Sequence, residues 1–283
     1  MEFPFRIPIG EWADTLVNWL TANFSHFFDS IKVVVEFILV RIDWFFQWVP
    51  WPLLILALTI IGWLVSGYKV GILTAVSLLL LGSLDLWDVG MSTLALVATA
   101  VFISVLFGLP LGIFSAKNKR FDMVLKPILD GMQTIPSFVY LIPAIMFFGI
   151  GNVPGILATV IFAIPPMVRL TSLGIQQVDQ EVVEAGHAFG CTPFQLLTKI
   201  QLPLAVPSIM TGVNQTVMMS LSMVVVAAMI GAGGLGGKIL YSIQRINLGI
   251  GLEAGLGILL IAIVLDRILQ GITRKQQKAL LKD

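Results

Sequence analysis

The sequence predicts an all-α, polytopic transmembrane helical bundle, and three observations carry that prediction. Of 283 residues, 57% are hydrophobic and only 12% charged, against about 25% charged in soluble domains. The mean hydropathy is +0.96. Apolar runs reach the roughly 17–25 residues that a helix needs to cross hydrocarbon. Runs such as Leu94–Phe114 do not alternate as barrel strands would. The net charge of +1 gives no sign of a nucleic-acid partner. The single Cys191 excludes an internal disulfide, and two histidines with one cysteine leave little for a metal site.

Residues 1–50 form an N-terminal amphipathic segment. Met1–Gly10 lacks the basic start and apolar core of a signal peptide. From 11 to 49, Trp12, Trp19, Phe24, Phe27, Phe28, Trp44, Phe45, Phe46 and Trp48 alternate with Asp29, Lys32, Glu36, Arg41 and Asp43. That composition suits one or two helices lying in the membrane interface. The alternative is a poorly hydrophobic span over Ile31–Trp48, with charges near its middle at a cost.

Seven spans follow: Trp51–Ser66, Val70–Leu84, Val89–Ser115, Leu125–Gly149, Val153–Leu173, Val206–Ile230 and Leu248–Ile272. Residues 51–88 hold two accessory spans. Pro127, Pro136 and Pro143 in the fourth, and Pro165 and Pro166 in the fifth, predict kinked helices compensated by neighbours. Gly251, Gly255 and Gly257 predict close packing of the last. Lys117, Lys119, Arg120 and Lys126 cluster between two spans, and Arg274, Lys275, Lys278 and Lys282 mark a tail at 273–283. Basic loops face the cytoplasm. Seven spans then put the N-terminus outside, the C-terminus inside and Asp179–Pro203 inside, with Lys238 and Arg245 as a mild violation.

That inner loop holds the strongest signal. Asp179 and Glu181 put acids in a first helical turn, where the helix dipole favours them. Gly190 is a natural helix stop. Thr192-Pro193-Phe194-Gln195 reads as a new start with a capping box. Ala185, Gly186 and Ala188 are small enough for another backbone to approach. On shape alone this is a loop helix, either ordinary or a plug for a partner's groove.

The residue pattern separates the two. Glu184, Ala185, Gly186, Gly190, Ile200, Leu202 and Pro203 resemble the signature loop of ABC importer permeases: Glu-Ala-Ala, three residues, Gly, nine residues, Ile, one residue, Leu-Pro. The spacing matches throughout. Gly186 departs from the usual second Ala and softens the helix by up to about 1 kcal/mol. The resemblance implies a five-span permease core over 89–272 and a loop at 179–203 that docks on a separate cytoplasmic ATPase. It also implies a second permease copy, an extracellular substrate-binding protein, and the cytoplasmic membrane of a prokaryote. No cofactor is expected on this chain; ATP and magnesium belong to the ATPase. The chain ends at Asp283 after its basic tail, so the binding protein is expected as a separate polypeptide.

Gln133–Ser137, Gly149–Gly151, Ile164–Arg169 and Ile230–Gly236 are similar to permeases for quaternary-amine osmoprotectants: glycine betaine, proline betaine, choline and carnitine. Relatives importing methionine share parts of this likeness. An ion-coupled secondary transporter would show repeated halves with broken midplane helices, and no convincing repeat is visible. A membrane-embedded enzyme would need a cluster of histidines or acids within a span, which is absent.

Other features carry weaker expectations. Gly231–Lys238 resembles a phosphate-binding loop but has Ala232 and Ile239 where the motif needs Gly and Ser or Thr; it reads as an external hinge or as helix-end packing. Arg169 is expected to snorkel at a span end, Asp266 to pair with Arg267, and Glu253 to face either the pathway or the interface. Phe138, Tyr140, Phe147 and Phe148 either line the pathway or pack the bundle; no substrate-binding residue is assigned.

Overall fold

The computed structural model describes residues 8–280. Most of the Met1–Gly10 stretch, and Lys282 of the basic tail, lie outside the described residues. Every regular element among them is helical. Four helices are long and apolar enough to cross a membrane: Trp87–Lys117, Asn152–Gln176, Pro193–Ser222 and Leu248–Gln277. A shorter apolar helix, Tyr68–Ser83, and two sharply bent pairs accompany them.

In chain order, α1 (Ile9–Asn23) and α2 (Ser25–Trp48) precede a hairpin of α3 (Trp51–Ser66) and α4 (Tyr68–Ser83). Gly67, at φ +91°, makes the reversal that ends α3. Gly62 lies against Val70 and Thr74, and Gly71 against Thr59 and Trp63, so the two helices are antiparallel. Next come α5 (Trp87–Lys117), α6 (Lys119–Thr134), a 3-10 turn over Ser137–Tyr140 and α7 (Leu141–Phe148). The Asn118 side chain accepts the Arg120 and Phe121 N–H groups and so caps α6.

The helix α8 (Asn152–Gln176) is the centre of the bundle. It runs parallel to α5, with Gly108 against Ile164 and Met167 and Gly112 against Val168 and Thr171. It runs antiparallel to α11 (Leu202–Ser222), with Gly174 against Ala205 and Ser208 and Gly212 against Pro166 and Met167. Glycines let these backbones approach closely, the packing mode available where lipid removes the hydrophobic drive. Pro165 and Pro166 sit inside α8, both buried, without ending it.

The last helix, α14 (Leu248–Leu280), is antiparallel to α11 and parallel to α3. Leu54, Leu81, Leu221, Leu235, Ala254 and Ile261 share one buried cluster. Gly251 and Gly257 meet Ser242 and Leu235 as the close-packing expectation requires, whereas Gly255 faces open space. Between α11 and α14 lie α12 (Val224–Ala228) and α13 (Leu235–Arg245).

Two expected spans are corrected. Leu125–Gly149 is no single helix: α6 and the Ser137–Phe148 piece are bent by 102°. Ile135 is extended, at φ −66° and ψ 130°, because the following Pro136 disfavours the helical conformation there. The helix expected to begin after Pro203 already begins at Pro193. It runs through α10 (Pro193–Leu196) and a π-turn at Leu197–Gln201 into α11. The widened turn precedes Pro203, where the proline removes a backbone bond and its ring would crowd the carbonyl of Lys199.

The N-terminal helix α2 lies crosswise. Phe28 stacks on Phe147 at 4.5 Å between ring centroids. Gln47 Nε2 donates to the Asp88 carbonyl at 3.0 Å. Both contacts lie at the end where α5 and α8 begin, and α3 leaves α2 at 101°. Phe147 and Phe148 therefore pack against α2, and the Tyr140 hydroxyl donates to the Met132 carbonyl.

A Cβ at position 112 would stand 2.6 Å from Thr171 Cβ. Gly112→Val should therefore cost about 1–3 kcal/mol as overpacking and lower the thermal unfolding midpoint of the purified protein. Gly255→Ala, with nothing within 4 Å, should leave that midpoint unchanged or raise it.

Candidate functional site: the loop between α8 and α11

The loop helix α9 (Gln180–Ala188) forms for reasons written in its sequence. The Asp179 carboxylate accepts the Glu181 N–H at 2.9 Å, capping the helix start. At the other end Gly190 takes φ +77°. Its N–H reaches the His187 carbonyl at 2.9 Å, and the Cys191 N–H reaches that of Gly186 at 3.0 Å. These are the paired closing bonds of a helix stopped by a left-handed glycine. Thr192 and Gln195 then form the reciprocal capping box that starts α10.

The structure gives Gly186 a different role from the one expected. It is the buried residue of α9. A Cβ there would lie 2.7 Å from Ile200 Cδ1 and 2.8 Å from Leu196 Cδ1. Two residues of the sequence pattern, Gly186 and Ile200, thus form one contact that seats α9 on the π-turn. Gly186 faces inward, toward Ile200 and Leu196. Glu184 and Ala185 lie on the exposed side, with Ala188, and Glu184 has no ion-pair partner among the described residues. Leu202 is half-buried, and Pro203 is exposed at the start of α11.

Sequence reasoning missed Leu196, which shares the Gly186 seat. It also missed Phe189 and Phe194, which are 89% and 73% exposed on either side of the Gly190 turn. Their signal was legible: they are the two aromatic rings of the loop apart from His187, with a glycine stop between them.

The loop shares its end of the bundle with the basic clusters. Lys117 Nζ approaches the Pro193 carbonyl at 3.5 Å. Beside it, α5, α6 and α8 enclose a polar cleft of about 350 Å³. Ser115 Oγ donates to Asp122 at 2.6 Å, and Lys126 pairs with the same carboxylate at 2.6 Å. Farther along α6, Arg169 donates to Gln133 at 2.8 Å and pairs with Asp130 at 2.5 Å. Arg169 thus ties α8 to α6 instead of snorkelling free. Asp266 likewise departs from expectation: it accepts from Asn214 and Gln270, not from Arg267. Glu253 is exposed near the opposite end.

The glycine run at the opposite end packs tightly. Gly231 and Gly234 have φ +89° and +80°. Ile230 C=O accepts from Gly151, Asn152 accepts from Gly233, and Thr93 accepts from Leu235. The Gly233 and Leu235 N–H groups thus hold the starts of α8 and α5, while those of Gly231 and Ala232 bond back to Ala228 and Ala227.

Residues 108–278 match the family described as binding-protein-dependent transport system inner membrane component. The chain belongs to this family. It is a permease of the ABC-importer type. It is 46% identical over 268 residues to the glycine betaine/proline betaine transport system permease protein ProW of Escherichia coli, covering 95% of this chain and 76% of that protein. It is 44% identical to the glycine betaine transport system permease protein OpuAB of Bacillus subtilis, covering 96% of each. With the glycine betaine/carnitine transport permease protein GbuB of Listeria monocytogenes the identity is 47%, covering 95% and 96%. An inward-facing structure of the MetNI methionine ABC transporter aligns with a TM-score of 0.61 at 22% identity, over 65% of this chain and 92% of that one. That likeness shows the fold alone.

Two variants test the loop's construction. Gly186→Leu should unseat α9 and raise amide exchange across 183–191 about tenfold, since overpacking costs roughly 1–3 kcal/mol. Gly190→Ala should cost about 1–2 kcal/mol through its left-handed backbone, read as the same exchange change in smaller degree.

Proposed function

We infer that this permease forms the translocation pathway for glycine betaine or a related quaternary-amine osmoprotectant, and couples through α9 to a separate ATPase. The observation that carries the coupling is the loop's division into an inward and an outward face. Gly186 and Ile200 hold it to the bundle, while Glu184, Ala185, Ala188 and Phe189 are left exposed. Aromatic anchors on a compact element are the residues that dominate protein interfaces, and Phe189 and Phe194 supply them.

The assembly in this reading has two permease copies, two ATPase subunits that bind ATP and magnesium, and an extracellular binding protein. The chain crosses the cytoplasmic membrane seven times, by α3, α4, α5, the bent α6–α7 unit, α8, α10–α11 and α14. The N-terminus lies outside and the C-terminus inside. Support comes from α9, Lys117 and Arg274 sharing one end of the bundle, as the bias of basic residues toward the cytoplasm requires. The crosswise α2, with aromatic residues exposed along it, then rests in the outer interface. The three relatives compared above all carry glycine betaine transport in their names, which supports the substrate class. The tight aromatic site for a methylated ammonium belongs to the binding protein, since the pathway has to release what it passes.

Reconstitution with the ATPase and binding protein tests the reading. ATP-dependent uptake of glycine betaine, and none of methionine, is the expected result. Uptake by the permease alone, driven by an ion gradient, would contradict it. Phe189→Ala with Phe194→Ala should reduce the co-purifying ATPase about tenfold or more, because interface anchors each contribute about 2 kcal/mol or more. Undiminished co-purification would remove the docking role from these two residues.

A further inference from the structure

The α9 loop does not use the second basic feature at that end of the bundle. Where α3 turns into α4 and α14 passes beside them, a cleft of about 460 Å³ opens. Its lining is apolar where α3 and α4 contribute Leu64, Val65 and Val70, and basic where α14 contributes Arg267, Arg274 and Lys275. The apex is closed by Ser66, whose hydroxyl donates to the Arg267 carbonyl at 2.9 Å and whose side chain fills the space beside Gly271.

The charge is unbalanced. Between Asp43 and Asp85 the sequence has no acid, and Lys69 adds to the basic side at the α3–α4 turn. The carboxylate of α14 on this side among the described residues, Asp266, is engaged by Asn214 and Gln270. The two ion pairs among the described residues lie elsewhere, at Lys126–Asp122 and Arg169–Asp130. The walls of the cleft continue into outward apolar surface, with Trp63, Leu64 and Ile72 60%, 70% and 60% exposed.

We propose that this cleft binds the phosphate headgroup of an anionic phospholipid, with Arg274, Lys275 and Arg267 around the phosphate and the acyl chains along Leu64 and Val70. An apolar wall on α3 and α4 beside a cluster of cations on α14 matches the two halves of such an amphiphile, and basic pockets between helices on that side of a membrane take such headgroups. A purely ionic partner, such as an acidic loop of another subunit, would leave the apolar wall of Leu64, Val65 and Val70 unused. The inference rests on α3, α4 and α14 spanning the membrane as proposed above.

Native mass spectrometry of the purified full chain in detergent, with phosphatidylglycerol and phosphatidylcholine of identical acyl chains, tests it. Both lipids reach every surface there, so the result is independent of sidedness, which cysteine labelling in vesicles reads separately. Wild type should retain phosphatidylglycerol over phosphatidylcholine about tenfold, and R274Q with K275Q should bring that to about twofold, given the worth of a cation beside an anionic lipid. The charge-matched control K119Q with R120Q, and the conservative pair R274K with K275R, should keep the preference and so separate a site from a folding defect. Retention by R274Q/K275Q, equal loss in the control, or displacement of the lipid by millimolar inorganic phosphate would each overturn the proposal. So would loss of the ATPase from R274Q/K275Q with lipid retained, which would make the cleft a subunit contact.

Discussion

The close approach of α5 and α11 to α8 is the constraint on which the molecule depends. It is built from missing side chains: Gly108 and Gly112 on α5, Gly174 on α8 and Gly212 on α11. In hydrocarbon, helices gain nothing by hiding apolar surface from lipid, so association rests on backbone proximity and packing. The consequence reaches the loop. α8 leaves the bundle at Gln176 and the chain re-enters at Pro193, so α9 hangs between two helices that cannot slide apart independently. A push on α9 is therefore delivered to α8 and to the continuous Pro193–Ser222 helix together.

The contact that makes α9 part of that frame is small. Gly186 admits the ends of Ile200 and Leu196, and the glycine stop at Gly190 turns the chain back toward them. The departure at Gly186 looked like a weakness when read as helix propensity alone. In the folded molecule it is a socket, and the cost in propensity is set against a closer seat. The polar cleft nearby adds a second tie, since Arg169 joins α8 to Asp130 and Gln133 on α6. That hydrogen-bonded pair links α6 to α8, while the bend at Pro136 lets α7 take another direction.

Much of this was legible in the sequence. The apolar runs gave most of the helices, and the caps of α9 and α10 followed from Asp179, Gly190, Thr192 and Gln195 alone. The loop's signature was readable because local backbone chemistry dictates it. What escaped was what depends on distant partners. Pro136 breaks its helix while Pro165 and Pro166 do not, although the residue type is the same. Packing against neighbours decides between those outcomes, and no local pattern records it. Asp266 pairs with Asn214 across a helix interface, a separation no sequence window spans. The crosswise course of α2 is likewise fixed by Phe147 and Asp88, both far along the chain.

The central claim is that α9 meets the ATPase. Cross-linking tests it most directly, in a Cys191→Ser background with one new cysteine at Ala188 or, at the opposite end of the bundle, at Asn247. The account predicts a covalent adduct with the ATPase subunit from position 188 and none from 247. An adduct from 247, or none from 188 in an assembly that hydrolyses ATP and transports, would contradict it.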